Sequence, residues 1–287
     1  MLGRAVGSVF VQEADPKSFE VLVVDNSADD EKGLAVKEAL APWPAVRIVN
    51  EPTVGLSFAR NRALLESLAE VVVFIDDDAR METGYLKRLG RVFCGSPLPA
   101  AAGGPVVVGW DNPQPSWWEP GLNFYANHLN LGDGTKKIAY PQVLYGTNLA
   151  VDRKLALELG GFDSTLGRIG EGLLDGEDAL LQLCIARQSK RPIIYDSGLI
   201  VTHYFAAERL NREYLLKKAF WHGCSRRRVE AGHPGAGSIL NPMFCLARSY
   251  MRMAFRRNSF HEKLMRQSAW GYIAQALELK SLTKKTG

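Results

Sequence analysis

The stretch VVVFIDDDA, Val71 to Ala79, constrains the chain most: an apolar run leads straight into three aspartates. A short, continuous apolar run is the mark of a buried strand. Adjacent carboxylates at its end repel one another unless a positive charge meets them. Side chains alternate along an extended segment, so Asp76 and Asp78 are expected to share a face and Asp77 to point away. Carboxylate oxygens suit a hard divalent cation, Mg2+ or Mn2+, that keeps open positions for phosphates. A solvated Asp-rich turn capping the next helix is the competing reading of these three residues alone.

The surroundings repeat the pattern. Glu20 to Asn26 reads as a buried parallel strand with a polar carboxyl end, and Val46 to Asn50 as a second strand. Helices are expected over Glu31–Leu40, Ser57–Glu70 and Met81–Phe93. Phe58, Leu65, Leu68 and Ala69 form the apolar stripe of the second of these. Further strands are expected at Pro105–Trp110, Val143–Val151, Arg191–Tyr195 and Leu199–His203. Helices are expected at Arg153–Leu159, stopped by Gly160-Gly161, and at Asp175–Arg187. Alternating strands and helices argue an α/β fold with a mainly parallel sheet flanked by helices. In such sheets ligands gather beyond the carboxyl ends of the strands, where Asp25 and the Asp76–Asp78 cluster stand.

Composition excludes several classes. The chain has 287 residues, 46% of them hydrophobic, and no apolar run of the roughly 18 residues a membrane span needs. Its four cysteines stand far apart, without metal-ligand spacing, and are expected to be reduced thiols in a cytoplasmic protein. Charge divides unevenly. Residues 206–287 hold 16 Lys and Arg against 5 Glu, whereas the first 205 hold 19 against 26 acids. The charge pattern divides the chain into an α/β domain over 1–205 and a basic helical extension over 206–287. Asn241-Pro242 would start one helix. Phe244, Ala247, Met251, Ala254 and Phe255 would line its apolar side, with Arg248, Arg252 and Arg256 alongside. With the basic run Arg226-Arg227-Arg228, this reads as a peripheral contact with an anionic membrane surface on the inner face. The alternative is helices packed on the catalytic domain with arginines in water. No nucleic-acid-binding motif is present.

Six segments in order, VVDNSADD, GLSFARNRAL, VVVFIDDDA, YGTNLAVDRKLALELGGFD, GEDALLQLCIAR and VTHY, resemble family 2 glycosyltransferases of the GT-A fold over about Phe19 to His203. The resemblance implies a transferase that moves a sugar from a nucleotide-diphosphate donor to a glycan or lipid-linked acceptor, with a divalent metal and inversion. It places Asp25, with Asn26 beside it, and Arg60 at the nucleotide. It gives Asp76 to the ribose, with Asp77 beside it, and Asp78 to the metal. Asp78, Asp76 and His203 would form the metal site. Of the pair Glu177-Asp178, Asp178 is the expected general base, with Glu177 in reserve. Acids at a helix N-terminus are also favoured by the macrodipole. Asn148 is placed on the acceptor side, and Trp117 and Trp118 could stack on a sugar ring.

The family opens with one further central strand, whereas this sequence begins at what reads as the following helix, Leu2 to Gln12. The expectation is a start upstream of Met1 or a truncated form. A catalytically impaired relic, a sugar-nucleotide-binding module and a nucleotidyltransferase are the competing functions. Release of pyrophosphate rather than nucleoside diphosphate would mark the last of these.

Overall fold

The computed structural model describes residues 1–27, 30–170, 172–231, 242–244, 246–247 and 259–283. Helix α1 (Leu2–Phe10) precedes strand β1 (Leu22–Asp25), helix α2 (Asp30–Leu40) and strand β2 (Arg47–Asn50). Helix α3 (Leu56–Glu66), strands β3 (Val71–Phe74) and β4 (Ala79–Met81) and helix α4 (Tyr85–Phe93) follow. Then come β5 (Ala101–Gly103), β6 (Val106–Gly109), β7 (Thr135–Ile138), β8 (Leu149–Asp152) and α5 (Arg153–Glu158). Helix α6 (Glu177–Gln188), β9 (Ile193–Asp196), β10 (Val201–Tyr204), α7 (Arg212–Ala231) and α8 (Phe260–Thr283) complete the described elements.

The largest sheet has the order β3-β8-β5-β9-β7, and a smaller one has β4-β10-β6. Pairings β1–β2, β5–β9 and β6–β10 are parallel; β3–β8, β5–β8, β7–β9 and β4–β10 are antiparallel. The sheets are therefore mixed. Much of the antiparallel part comes from β4, β5 and β7, which the hydrophobic pattern did not announce. β5 is Ala-Ala-Gly, without a β-branched residue, and β7 is Thr-Lys-Lys-Ile with one buried side chain.

Alternation along the central strands builds a core on both sides. Val72, Phe74, Ala101, Leu149 and Val151 pack with Leu64, Phe162, Leu181 and Ile185. Val71, Val73, Ala102 and Ala150 pack on the other face with Val9, Tyr85, Leu89 and Val201. Helices α3, α5 and α6 thus cover one face, and α1 and α4 the other. The expected stripe on α3 is corrected. Leu65 and Leu68 are exposed, while Ser57, Arg60 and Leu64 are buried. The helix ends at Glu66, so Leu68 falls beyond it, and the inward face is rotated to carry an arginine. Met81 likewise belongs to β4, and the helix expected from it begins only at Tyr85, after Gly84 in the left-handed region (φ 81°).

Strand β1 pairs with β2, and β3 with β8; no pairing joins β1 to β3 among the described residues. Val21 to Asp25, Val71 to Ile75 and the α1 residues Leu2, Ala5, Val6 and Val9 line an apolar cleft between them. This is where the sequence led one to expect a further strand.

Helices α7 and α8 pack at close range. A Cβ on Gly223 would lie 1.8 Å from the Ser268 carbonyl oxygen, and one on Gly271 would lie 1.9 Å from that of Phe220. Leu215, Ala219 and Leu264 then join Leu122, Tyr125 and Phe205 in one cluster. The basic run on α7 is engaged in this packing. Arg226 binds Glu230, Arg227 lies over the Tyr272 ring, and Arg228 donates to Gln275. Arg226 stays exposed while it pairs with Glu230, and Arg227 and Arg228 reach α8. The helix expected from Asn241 to Arg256 lies largely outside the described residues.

Candidate active site

The carboxyl end of β3 opens into a cavity of about 1330 Å3. Strand β10 lies antiparallel to β4 with His203 opposite Ala79, and the Tyr204 N–H donates to the Asp78 carbonyl at 2.8 Å. That register sets the His203 ring beside the aspartate cluster. Potential ligand atoms of Asp76, Asp78 and His203 lie within 4.8 Å of one another, and His203 Nε2 is 3.2 Å from Asp78 Oδ1. Asp78 Oδ1 and His203 Nδ1 are buried without a hydrogen-bond partner. Buried polar atoms without partners are costly, and two oxygens with one imidazole nitrogen are a donor set that fits a divalent cation. Burial pushes the Asp78 carboxyl up, but His203, Arg209 and Arg168 outweigh it and hold it below the ordinary range. Asp77 is exposed, whereas Asp76 and Asp78 are half-buried.

Helix α6 begins with Glu177-Asp178 at the same cavity. Arg60 bridges the two acidic groups. Its Nη1 is 2.5 Å from Glu177 Oε1 and its Nη2 is 3.4 Å from Asp76 Oδ1. The guanidinium also stacks 5.5 Å from the Phe162 ring centre. Arg60 is 6% exposed, so it is neither a surface ion pair nor a free arm, but the buried counter-charge of the acidic cluster. Gly146 makes room for it: a Cβ there would lie 2.3 Å from Arg60 Nη2. Burial raises the Glu177 carboxyl to about 7 against the opposing pull of Arg60. Burial also raises Asp178, while Arg60 and the backbone N–H groups of Gly146 and Ala179 oppose it. Those two N–H groups, each 2.7 Å away, fix the two Asp178 oxygens.

Asp25 lines the cavity at the end of β1 and accepts from the Ser27 N–H and hydroxyl at 3.0 and 2.6 Å. Asn26 also lines it, but its amide is engaged. It donates to the Glu51 and Thr53 carbonyls and accepts from the Gly55 N–H, tying the loop ahead of α3. The expected acceptor residues sit elsewhere. Asn148 is fully buried, accepts from the Tyr85 hydroxyl and donates to the Pro105 and Leu199 carbonyls, so it fastens four segments together. Trp117 and Trp118 are held in an aromatic cluster with Trp110, Phe205 and Phe260, and neither lines the cavity. The sequence reading missed Arg168, Arg209, Lys218 and His222, which line the same cavity. The available signal was Lys218, a charge within the inward face of α7 between Leu215 and Ala219.

Comparisons with known proteins bear on the family and the fold. The family described as glycosyl transferase family 2 matches residues 1–145. A relative, the glucosyl-dolichyl phosphate glucuronosyltransferase of Haloferax volcanii, is 26% identical over 243 residues, covering 83% of this chain and 75% of its own. The structure is similar to a mannosyltransferase from Pyrobaculum calidifontis solved with GDP-Man and Mn2+ (TM-score 0.60, 16% identity, 95% of this chain and 83% of that one). It is also similar to TarS of S. aureus solved with UDP (TM-score 0.52, 14% identity, 97% and 88%). The fold is thus that of the GT-A glycosyltransferases. The chain belongs to glycosyl transferase family 2.

Proposed function

We propose that the protein moves a hexosyl residue from a nucleotide-diphosphate donor to a lipid-linked sugar, with inversion at the anomeric carbon. The observation that carries this reading is that Asp76, Asp78 and His203 share one cavity with Glu177 and Asp178, linked through Arg60. The donor's base and ribose lie toward Asp25 and Asp76 in this reading. A divalent ion, Mn2+ or Mg2+, held by Asp76, Asp78 and His203 would supply Lewis-acid stabilisation of the leaving diphosphate.

Asp178 takes the proton of the acceptor hydroxyl as its oxygen bonds to the anomeric carbon and the bond to the diphosphate breaks. Burial lifts this carboxyl toward the working pH, as a base requires. Gly146 and Ala179 orient it through their N–H groups. Glu177 is held by Arg60 and acts through that contact. The lipid-linked acceptor is supported by the relative that acts on glucosyl-dolichyl phosphate. Such an acceptor sits in a bilayer, so peripheral attachment at the inner face belongs to the reading. No helix among the described residues is long and apolar enough to cross a membrane. Residues 1–205 would carry donor and base, and 206–287 would close the acceptor side through Arg209, Lys218 and His222.

The test is incubation with nucleotide sugars, Mn2+ and a prenyl-phosphate-linked sugar, reading product mass and anomeric configuration. Transfer with inversion that disappears in Asp178→Asn is the expected result. Release of pyrophosphate, or retained configuration, contradicts the proposal.

A further inference from the structure

The segment from Tyr140 to Tyr145 belongs to no helix or strand, yet it leads directly to the Gly146 N–H, one of the two donors that fix Asp178. A loop has few backbone hydrogen bonds of its own, so its place is set by what it is tied to. At one end Leu144 exchanges two hydrogen bonds, both 2.8 Å, with the buried amide of Gln182, one turn beyond Asp178 on α6. At the other end the Tyr140 hydroxyl donates to Glu230 Oε1 at 2.5 Å.

Glu230 stands near the end of α7 and is 2% exposed. It also accepts from Arg226 Nε at 2.9 Å and, through Oε2, from the Tyr272 hydroxyl of α8 at 2.7 Å. Burial pushes the carboxyl up, but Tyr140, Tyr272 and Arg226 outweigh it and hold it below the ordinary range. It is thus a charged acceptor, which binds its donors more firmly than a neutral one. The same stretch of α7 braces the other approach to Asp178. The Asp175 N–H donates to Ser225 Oγ at 2.9 Å, and a Cβ on Gly176 would lie 2.9 Å from Val229 Cγ2. The Tyr140 ring, Val229, Leu183 and Ala179 pack in one cluster. The two segments that meet at the Asp178 carboxylate, 140–146 and 175–179, therefore rest on one stretch of α7, Ser225 to Glu230.

We propose that Glu230 and Tyr140 are positioning residues for Asp178. The buried carboxylate on α7 holds the 140–146 segment so that the Gly146 N–H meets Asp178 Oδ2, and the helical extension thereby sets the orientation of the base. This rests on the reading of Asp178 as the base and adds to it the residues that aim it.

The test compares Tyr140→Phe with Tyr272→Phe. Each removes one hydroxyl from the same carboxylate and keeps the ring, so both should fold, with similar losses in urea denaturation. Only Tyr140 belongs to the segment that reaches Asp178. Two readouts separate positioning from simple packing. Hydrogen exchange of a peptide covering residues 141–148 should be faster by about tenfold in Tyr140→Phe and unchanged in Tyr272→Phe. Transfer from UDP-glucuronic acid or GDP-mannose, with Mn2+ and farnesyl-phosphate-linked glucose, should show kcat lower by about tenfold or more in Tyr140→Phe, with donor KM unchanged and Tyr272→Phe unaffected. Added to Asp178→Asn, Tyr140→Phe should cause no further loss. Equal falls in kcat for both tyrosine variants would assign the effect to stability and overturn the proposal, as would unchanged exchange over 141–148 in Tyr140→Phe. Full transfer by Tyr140→Phe beside an inactive Asp178→Asn would overturn this inference alone. Full transfer by Asp178→Asn would remove the reading of Asp178 as the base, and this inference with it.

Discussion

Arg60→Met isolates the charge balance at the centre of the site. Methionine keeps an unbranched apolar stem but lacks the guanidinium, so the variant removes the buried cation between Glu177 and Asp76. Glu177 is 3% exposed and its Oε2 has no hydrogen-bond partner among the described residues, so Arg60 is its main compensating group. Removing one partner of a buried pair costs about 3–5 kcal/mol. The pH dependence identifies the cause. In the natural protein the Glu177 carboxyl stands at about 7, above its ordinary 4.5, so folding takes up a proton between those values. Its stability contribution therefore falls as pH rises from 4.5 to about 7 and is flat above. Without Arg60 the carboxyl rises further, and the fall continues past 7. The variant's deficit should be largest above pH 8 and shrink by about 1.4 kcal/mol per pH unit toward 7. Urea denaturation followed by tryptophan fluorescence, at several pH values from 6 to 9, reads this directly. A deficit independent of pH, or one below about 1 kcal/mol, would refute the assignment of Arg60 as counter-charge to Glu177.

Asp178→Asn keeps the shape of the side chain but removes the base; kcat should fall by about 100-fold or more, with nucleotide affinity unchanged by calorimetry. Gly146→Ala puts a Cβ against the Arg60 guanidinium at 2.3 Å, so both thermal stability and turnover should drop. Asn148→Leu leaves the Tyr85 hydroxyl and the Pro105 and Leu199 carbonyls without their partner, and should cost about 3 kcal/mol or more in urea denaturation. A change in acceptor KM without loss of stability in that variant would return Asn148 to the acceptor side.

The sequence was most legible where burial and charge change abruptly. The apolar run of VVVFIDDDA forms β3 as its pattern implied, and Glu177-Asp178 opens α6 as its position implied. Small or polar strands were not legible. The Ala-Ala-Gly of β5 owes its central place to neighbours on both edges, and nothing in its own residues demands it. Arg60 is placed at the nucleotide by resemblance, but its ion-pair partners Asp76 and Glu177 lie 16 and 117 residues away, beyond any local pattern. The same holds for Lys218, Arg227 and Arg228. A basic helix invites a surface reading, and the aromatic and amide partners of these charges, Tyr272, Gln275 and Asn127, come from α8 and from the 120–127 segment. The Asn148 amide was visible as a polar group beside a strand, but only tertiary structure shows that every one of its bonds is internal.

The central claim is that a nucleotide diphosphate and a divalent cation meet at Asp76, Asp78 and His203. The most direct measurement is calorimetric titration of UDP, GDP and TDP into the chain, with and without Mn2+, repeated with Asp78→Ala. The account predicts that one nucleotide binds only when Mn2+ is present and that Asp78→Ala abolishes this dependence. Binding that is indifferent to Mn2+, or that survives Asp78→Ala undiminished, would contradict it.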